Sequence, residues 1–359
     1  MATAPAVSPT VRLNAELAAT LPNFRALTWH EDLLYLSRGY DLYAARMVSP
    51  PFQPRKVATY SPGIRRNLTS RFRLSSRLFR DGFHALAVLP SGNLVGAVPG
   101  AIVTLGRGEQ EFRITHRITR GTRPLHITAT PDGRLFWGEY FDNPERSEVY
   151  VYQSRDQGLT WEVAHTFPPG SVRHVHNIVY DRWGDYFWIF TGDHGCECKI
   201  IRASHDLASL DEVVAGTQQA RAVAAVVAAE GIYYASDTPL ERDFIYFLDR
   251  RGKIHSVAPI PSSSIYGCHN RSGLFFSTMI EPSKVNLANH VNLLGSNNGA
   301  DWQQISTWRK DRWPMGLFQY GNAFLPDGEN TTHFLAATTV AVQDADCVTT
   351  IWRTRPATS

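Results

Sequence analysis

The residues best suited to chemistry gather in one stretch, Arg173 to Cys198, which reads RHVHNIVYDRWGDYFWIFTGDHGCEC. His174 and His176 stand two apart, so on an extended strand both imidazoles face the same side. Imidazole exchanges protons near neutral pH and ligates divalent metals through either ring nitrogen. Arg173, just ahead, offers a planar cation matched to carboxylates. Asp193 and His194 follow, then Cys196 and Cys198, which together make an alternative zinc set with unusual cysteine spacing.

Comparable residues recur elsewhere in comparable places. His84 and His126, like His176, lie seven or eight residues before a turn glycine. Tyr266 and Tyr320 hold similar places further on. Arg80, Arg123 and Arg173 each precede one of these histidines by three or four residues, and Arg221 precedes another such segment. Carboxylates stand where the segments end: Glu139, Asp193, Asp237 and Glu281.

The elements that position these residues are read from a repeat. A β-rich run, a turn with Gly or Asp and a second β-rich run recur seven times, starting at Phe24, Phe83, Leu125, His176, Arg221, Ile265 and Gln319. A spacing of roughly 40 to 60 residues is that of propeller blades. The expected fold is all-β, a seven-bladed β-propeller forming a single domain over residues 1–359. Residues 1–20 are expected to be a loose arm or the strand that closes the last blade. The Pro- and Arg-rich region 49–76 reads as a long excursion. In a propeller the starts of innermost strands and the ends of the strands that follow meet at one mouth of the channel. The histidines, arginines, tyrosines and carboxylates above are therefore predicted to share that mouth.

Between EVYVYQ and EVAHTF, the residues Ser154, Asp156, Gly158 and Trp161 spell S-x-D-x-G-x-x-W. The Asp caps turn amides, the Gly takes a positive φ and the Trp packs between sheets. This resembles the Asp-box, or BNR repeat, of the sialidase-type seven-bladed propellers. Gly295, Asn297, Gly299 and Trp302 read as a degenerate copy, and Ser204 and Asp206 as an eroded one. The resemblance implies architecture and names no reaction.

In residue kinds the chain is also similar to polysaccharide-lyase propellers. Oligogalacturonate lyases carry an H-x-H metal pair, matched here by His174 and His176, although Ser171 stands where that family has Gln. The resemblance implies a divalent metal (Mn, Zn or Ca) at the channel mouth on His126, His174 and His176, and no organic cofactor. It also implies β-elimination on a uronate-containing oligosaccharide or polysaccharide. His84, His126, His176, Tyr266 and Tyr320 are the catalytic candidates. Arg80, Arg123, Arg173 and Arg221, with Glu139, Asp193, Asp237 and Glu281, are the substrate-binding candidates. A second reading is a sialidase-like glycoside hydrolase with a carboxylate pair drawn from the last four, although the F/Y-R-I-P opening of sialidases is absent. A third is a non-catalytic propeller that binds glycan or protein.

Composition narrows the partners. A net charge of +3 over 359 residues, without long Lys/Arg runs, argues against nucleic acid. No stretch is long and apolar enough to span a membrane, and no charged start precedes an apolar core. Four cysteines make no disulfide framework in a chain this size. The expectation is a cytoplasmic, reduced protein, a monomer or small homo-oligomer, whose partner is an acidic saccharide.

Overall fold

A computed structural model describes residues 12–356. Their strands form seven sheets arranged in a ring, a seven-bladed β-propeller. Blades 1 to 6 comprise residues 25–59, 85–117, 128–167, 174–215, 222–259 and 266–309, and blade 7 is built mainly from 322–356. All seven repeats read from the sequence become the inner hairpins of blades.

Burial follows from apolar runs. Blade 2's middle strands, Leu94–Val98 and Ala101–Leu105, are buried at every position. Neighbouring blades cover both of their faces, which suits continuous Val, Ile and Ala rather than alternation. The outermost strand of blade 3, Glu162–Phe167, is largely exposed and correspondingly polar. The cores therefore lie between blades, as where Trp188, Phe190 and Ile200 meet Ile232, Tyr234 and Leu248.

The strand Leu13–Pro22 pairs antiparallel with Val348–Pro356, from Leu13 opposite Pro356 to Pro22 opposite Val348. Blade 7 thus joins both ends of the described chain, and the ring closes through backbone hydrogen bonds. Residues 1–11, part of the expected arm, lie outside the described residues.

Three features differ from the sequence reading. The 49–76 excursion contains blade 1's fourth strand, Arg55–Thr59, followed by helix α1 (Ile64–Thr69); helix α2 (Arg73–Phe79) comes next. The Asp-Gly of the seventh hairpin is not a plain turn. Asp327–Asn330 leaves blade 7 and adds a parallel fifth strand to blade 1, alongside Arg25–Glu31. Gly328 permits this with φ +87°, since a Cβ there would sit 2.1 Å from the Trp29 carbonyl oxygen.

The third difference is a register. In the turn at 154–161, Ser154 Oγ donates to Asp156 at 2.8 Å and accepts the Gly158 amide at 2.8 Å, while Asp156 caps the Thr160 amide at 2.9 Å. Ser204 and Asp206 make the same bond at 2.7 Å. In blade 6 the equivalent pair is Ser296 and Asn298, at 3.0 Å, one residue later than Gly295 and Asn297. A side-chain oxygen is needed at the first position, and Gly295 has none.

Candidate functional site

Strand pairing places the chemistry. His174 opens the first strand of blade 4 and lies opposite Gly192, the last residue of the second, so Asp193 emerges beside it. Two steps along the first strand, between Val175 and Asn177, match one step on its partner. His176 is the extra residue of this bulge, a device that re-aims a side chain.

The two imidazoles and Asp193 converge. His174 Nε2 is 3.0 Å from His176 Nε2, and the Asp193 carboxylate oxygens lie 3.5 Å and 3.3 Å from these two atoms. Each ring is oriented from behind: Nδ1 of His174 is 2.9 Å from the Phe141 carbonyl oxygen, and Nδ1 of His176 is 3.1 Å from that of Ala222. Those carbonyls can only accept, so each Nδ1 carries a proton and each Nε2 is turned toward the other ring and Asp193, where a protonated Nε2 donates to the carboxylate and an unprotonated one offers a lone pair to an ion. With both Nε2 atoms unprotonated, two lone pairs and a carboxylate face one another, an arrangement that a cation among them relieves.

The surroundings sharpen this. Burial would raise the Asp193 carboxyl, but hydrogen bonds from His174 and His176 outweigh it and hold the group below the usual carboxylate range. Burial lowers His176, against the opposing pull of Asp193. Arg221 Nη2 lies 3.5 Å from Asp193 and 3.8 Å from Asp237. Burial, against the pull of Arg221, pushes Asp237 up to about 7. The Tyr140 ring stands 4.4 Å from that of His174, centroid to centroid. Burial, reinforced by Asp237 and Asp193, pushes its hydroxyl up to about 12.

A cavity of about 340 Å³ opens beside this group, lined among others by Arg80, Arg123, Tyr140, Arg173, His174 and Asp193. Arg173 pairs with Asp142. Arg80 and Arg123 have no carboxylate partner among the described residues. Burial, with Arg25 nearby, pushes the Arg123 guanidinium down to about 10. The Nε atoms of Arg25, Arg173 and Arg221 are buried without a hydrogen-bond partner. The mouth therefore holds guanidinium donors that no protein group uses.

The remaining candidates divide. His126 is not brought to the His174–His176 pair; its Nδ1 lies 3.0 Å from Asp327, on the strand that left blade 7. Among the described residues only His174, His176 and Asp193 form a group able to hold an ion, and Cys196 and Cys198 do not join it. The Cys198 thiol is buried, 3.5 Å from Gln218 Nε2. His84 Nε2 is 2.7 Å from the Arg80 carbonyl oxygen and Nδ1 is 3.5 Å from Arg25 Nη1, which makes it a neutral support for that arginine. Burial, with Arg123 and Arg25, holds His84 well below its usual range. Tyr266 is a neighbour of Arg25 and Arg123, and burial raises its hydroxyl. Tyr320 is exposed. Glu139 is occupied by Arg120 and the Tyr150 amide, and Glu281 accepts from Ser263 Oγ at 2.7 Å. Tyr140, Arg25 and Asp327 carry no catalytic, substrate-binding or metal assignment in the sequence reading, although Arg25 precedes a strand as Arg80 and Arg123 do and Tyr140 directly follows Glu139 at a strand end.

No family model and no curated protein matches the chain. Solved structures share its fold. A chain of the mitotic checkpoint complex superposes with a TM-score of 0.56 at 10% identity, covering 98% of this chain and 96% of that one. An oligogalacturonate lyase from Vibrio parahaemolyticus gives 0.53 at 10% identity, over 88% and 94%. The WD40 propeller domain of Doa1 also gives 0.53 at 10%, over 95% and 97%. At such identities the likeness defines the class, a seven-bladed propeller, and no more. Among the described residues, no helix is long and apolar enough to cross a membrane.

Proposed function

We propose that the protein is a carbohydrate-active enzyme that cleaves an acidic, uronate-containing saccharide by β-elimination, with a divalent metal at the channel mouth. The observation that carries this reading is the convergence of His174, His176 and Asp193 beside a cavity lined by the unpaired Arg123. Two imidazoles and a carboxylate suit Mn, Fe or Zn, and ring orientation by backbone carbonyls is the usual support of a metal-bound histidine. The donor separations of 3.0 to 3.5 Å are those of neighbouring ligands around one ion.

When bound, such an ion adds positive charge that stabilises a uronate carboxylate and the anion formed from it. Arg123 and Arg80 are free to grip that carboxylate, and Arg173 stands at the same wall. Neutralising the carboxylate acidifies the adjacent C–H, and elimination passes that proton to a base as the C–O bond breaks; the neutral imidazole of His84, beside Arg80, is the candidate base. Tyr140 lines the cavity and keeps its proton at neutral pH, so it can donate to the leaving oxygen. Arg221 spans Asp193 and Asp237 and keeps the ligand carboxylate in place. The oligogalacturonate lyase among the fold neighbours agrees with this chemistry, whereas the chain from the mitotic checkpoint complex agrees with a binding role. The mouth's unspent donors favour the enzyme.

The test is elemental analysis of purified protein beside an ultraviolet assay for unsaturated uronides on acidic oligosaccharides. Rising absorbance together with stoichiometric metal supports a metal-dependent lyase. New reducing ends without absorbance would transfer the reading to a hydrolase using Asp193 and Asp237. Neither product nor metal would leave a binding propeller.

A further inference from the structure

The molecule has a second cavity, of about 360 Å³, between blades 1 and 7 and helix α2. Segment 80–84 stands between the two cavities: Arg80 lines the first, and Asp81, Gly82 and Phe83 line the second. Five arginines face the second, Arg25, Arg38, Arg71, Arg73 and Arg77. Arg77 is satisfied by Asp311 at 2.7 Å, Asp346 at 2.9 Å and the Phe318 carbonyl. Arg73 lies 3.4 Å from Asp346. Arg25, Arg38 and Arg71 have no carboxylate partner among the described residues. Asp81, the carboxylate in the lining, is already engaged by Tyr40 and Arg66, each at 2.9 Å, and by Thr69.

The free cations are also held in place. Arg25 stacks on Phe324 at 4.0 Å and Arg38 on Phe24 at 4.5 Å. Stacked guanidinium planes are pre-organised for bidentate recognition of an anion. Ser70 and Ser76 also line the wall; their hydroxyls donate to the Asn67 and Arg73 carbonyl oxygens, which leaves their oxygens as acceptors for a sugar hydroxyl. Arg25 also links the cavities, since it supports His84, whose ring is fixed by the Arg80 carbonyl.

We infer that this cavity binds the acidic group of a distal unit of the same saccharide, so that the protein prefers an oligomer with several anionic units over a dimer. This rests on the acidic-saccharide reading above. Arg38 and Arg71 are exposed, so Arg38→Ala with Arg71→Ala should leave the fold intact, which the melting temperature verifies. Calorimetry with a uronate dimer and a uronate tetramer provides the test. The wild type should bind the tetramer about tenfold more tightly, and the double variant should lose that advantage with dimer affinity unchanged. Equal affinity for both lengths in the wild type, or equal weakening of both in the variant, would overturn the inference while leaving the proposed function standing. Binding of neither length would overturn both.

Discussion

At the scale of single residues, the mouth is governed by groups whose ordinary protonation is disturbed in opposite senses. Asp193 is held ionised while Asp237 retains a proton to near neutrality. Burial raises Asp237 to about 7, so its favourable contribution is complete below the ordinary Asp range and is lost as pH rises through about 7. Asp237→Asn, which mimics the protonated form, should therefore match the wild type in stability at pH 4 and exceed it at pH 8. The gain is bounded by about 1.4 kcal/mol per unit of pKa difference, and denaturant titration at the two pH values measures it. An equal effect at both would show that Asp237 titrates normally. His176→Ala should abolish metal content while the circular dichroism spectrum stays that of the wild type. Arg123→Ala should weaken binding of a uronate oligomer by about 10- to 100-fold, the value of a charge-assisted contact; unchanged affinity would remove Arg123 from the site.

At the scale of elements, short motifs aim these residues. The bulge at His176 and the end of the neighbouring strand at Gly192 bring two rings and a carboxylate together. The parallel strand Asp327–Asn330 has the opposite effect on His126, drawing it toward Asp327. Its departure from blade 7 depends on Gly328, whose positive φ and closeness to the Trp29 carbonyl exclude a side chain. Gly328→Ala should lower stability by on the order of 2–3 kcal/mol, visible as a shift in the urea midpoint. It should also disturb His126 and leave the His174, His176 and Asp193 group intact. The turn around Ser154 and Asp156 is a separate fixture, and it is tied to blade 2, where Thr104 Oγ1 donates to the Gly158 carbonyl oxygen and Asn93 Nδ2 to Gln157, each at 2.7 Å.

At the scale of the whole molecule, the site exists because the ring closes. Asp193 and Asp237 come from successive blades, and Arg221 between them precedes blade 5. The closing strand Leu13–Pro22 completes blade 7, against which blade 1 packs through Leu34, Leu36, Phe334 and Ile351. Removing residues 1–22 should lower the melting temperature by on the order of 10 °C and expose apolar edges to aggregation. A truncated chain that melts like the full-length protein would show that closure adds little.

The propeller was legible in the sequence because blades are written locally. Strand runs, turn glycines and the period of the hairpins are short-range patterns, and each reports its own element. The His174 and His176 pair was legible for the same reason, and so was Asp193 as a carboxylate at the end of the same hairpin; the convergence of the three in place of the expected His126 depends on the bulge at His176, which no local pattern announces. The partners of the other candidates lie far along the chain. His84 supports Arg25, His126 meets Asp327, Glu139 is occupied by Arg120, and Arg123 is left without a partner. No local pattern encodes these pairings, because they arise only when seven sheets share one axis and charges from different blades settle against one another. Local sequence dictates which kinds of groups reach the mouth. The closed ring alone decided which of them neutralise each other and which stay free for a ligand, because burial and charge pairing depend on neighbours that only tertiary structure supplies.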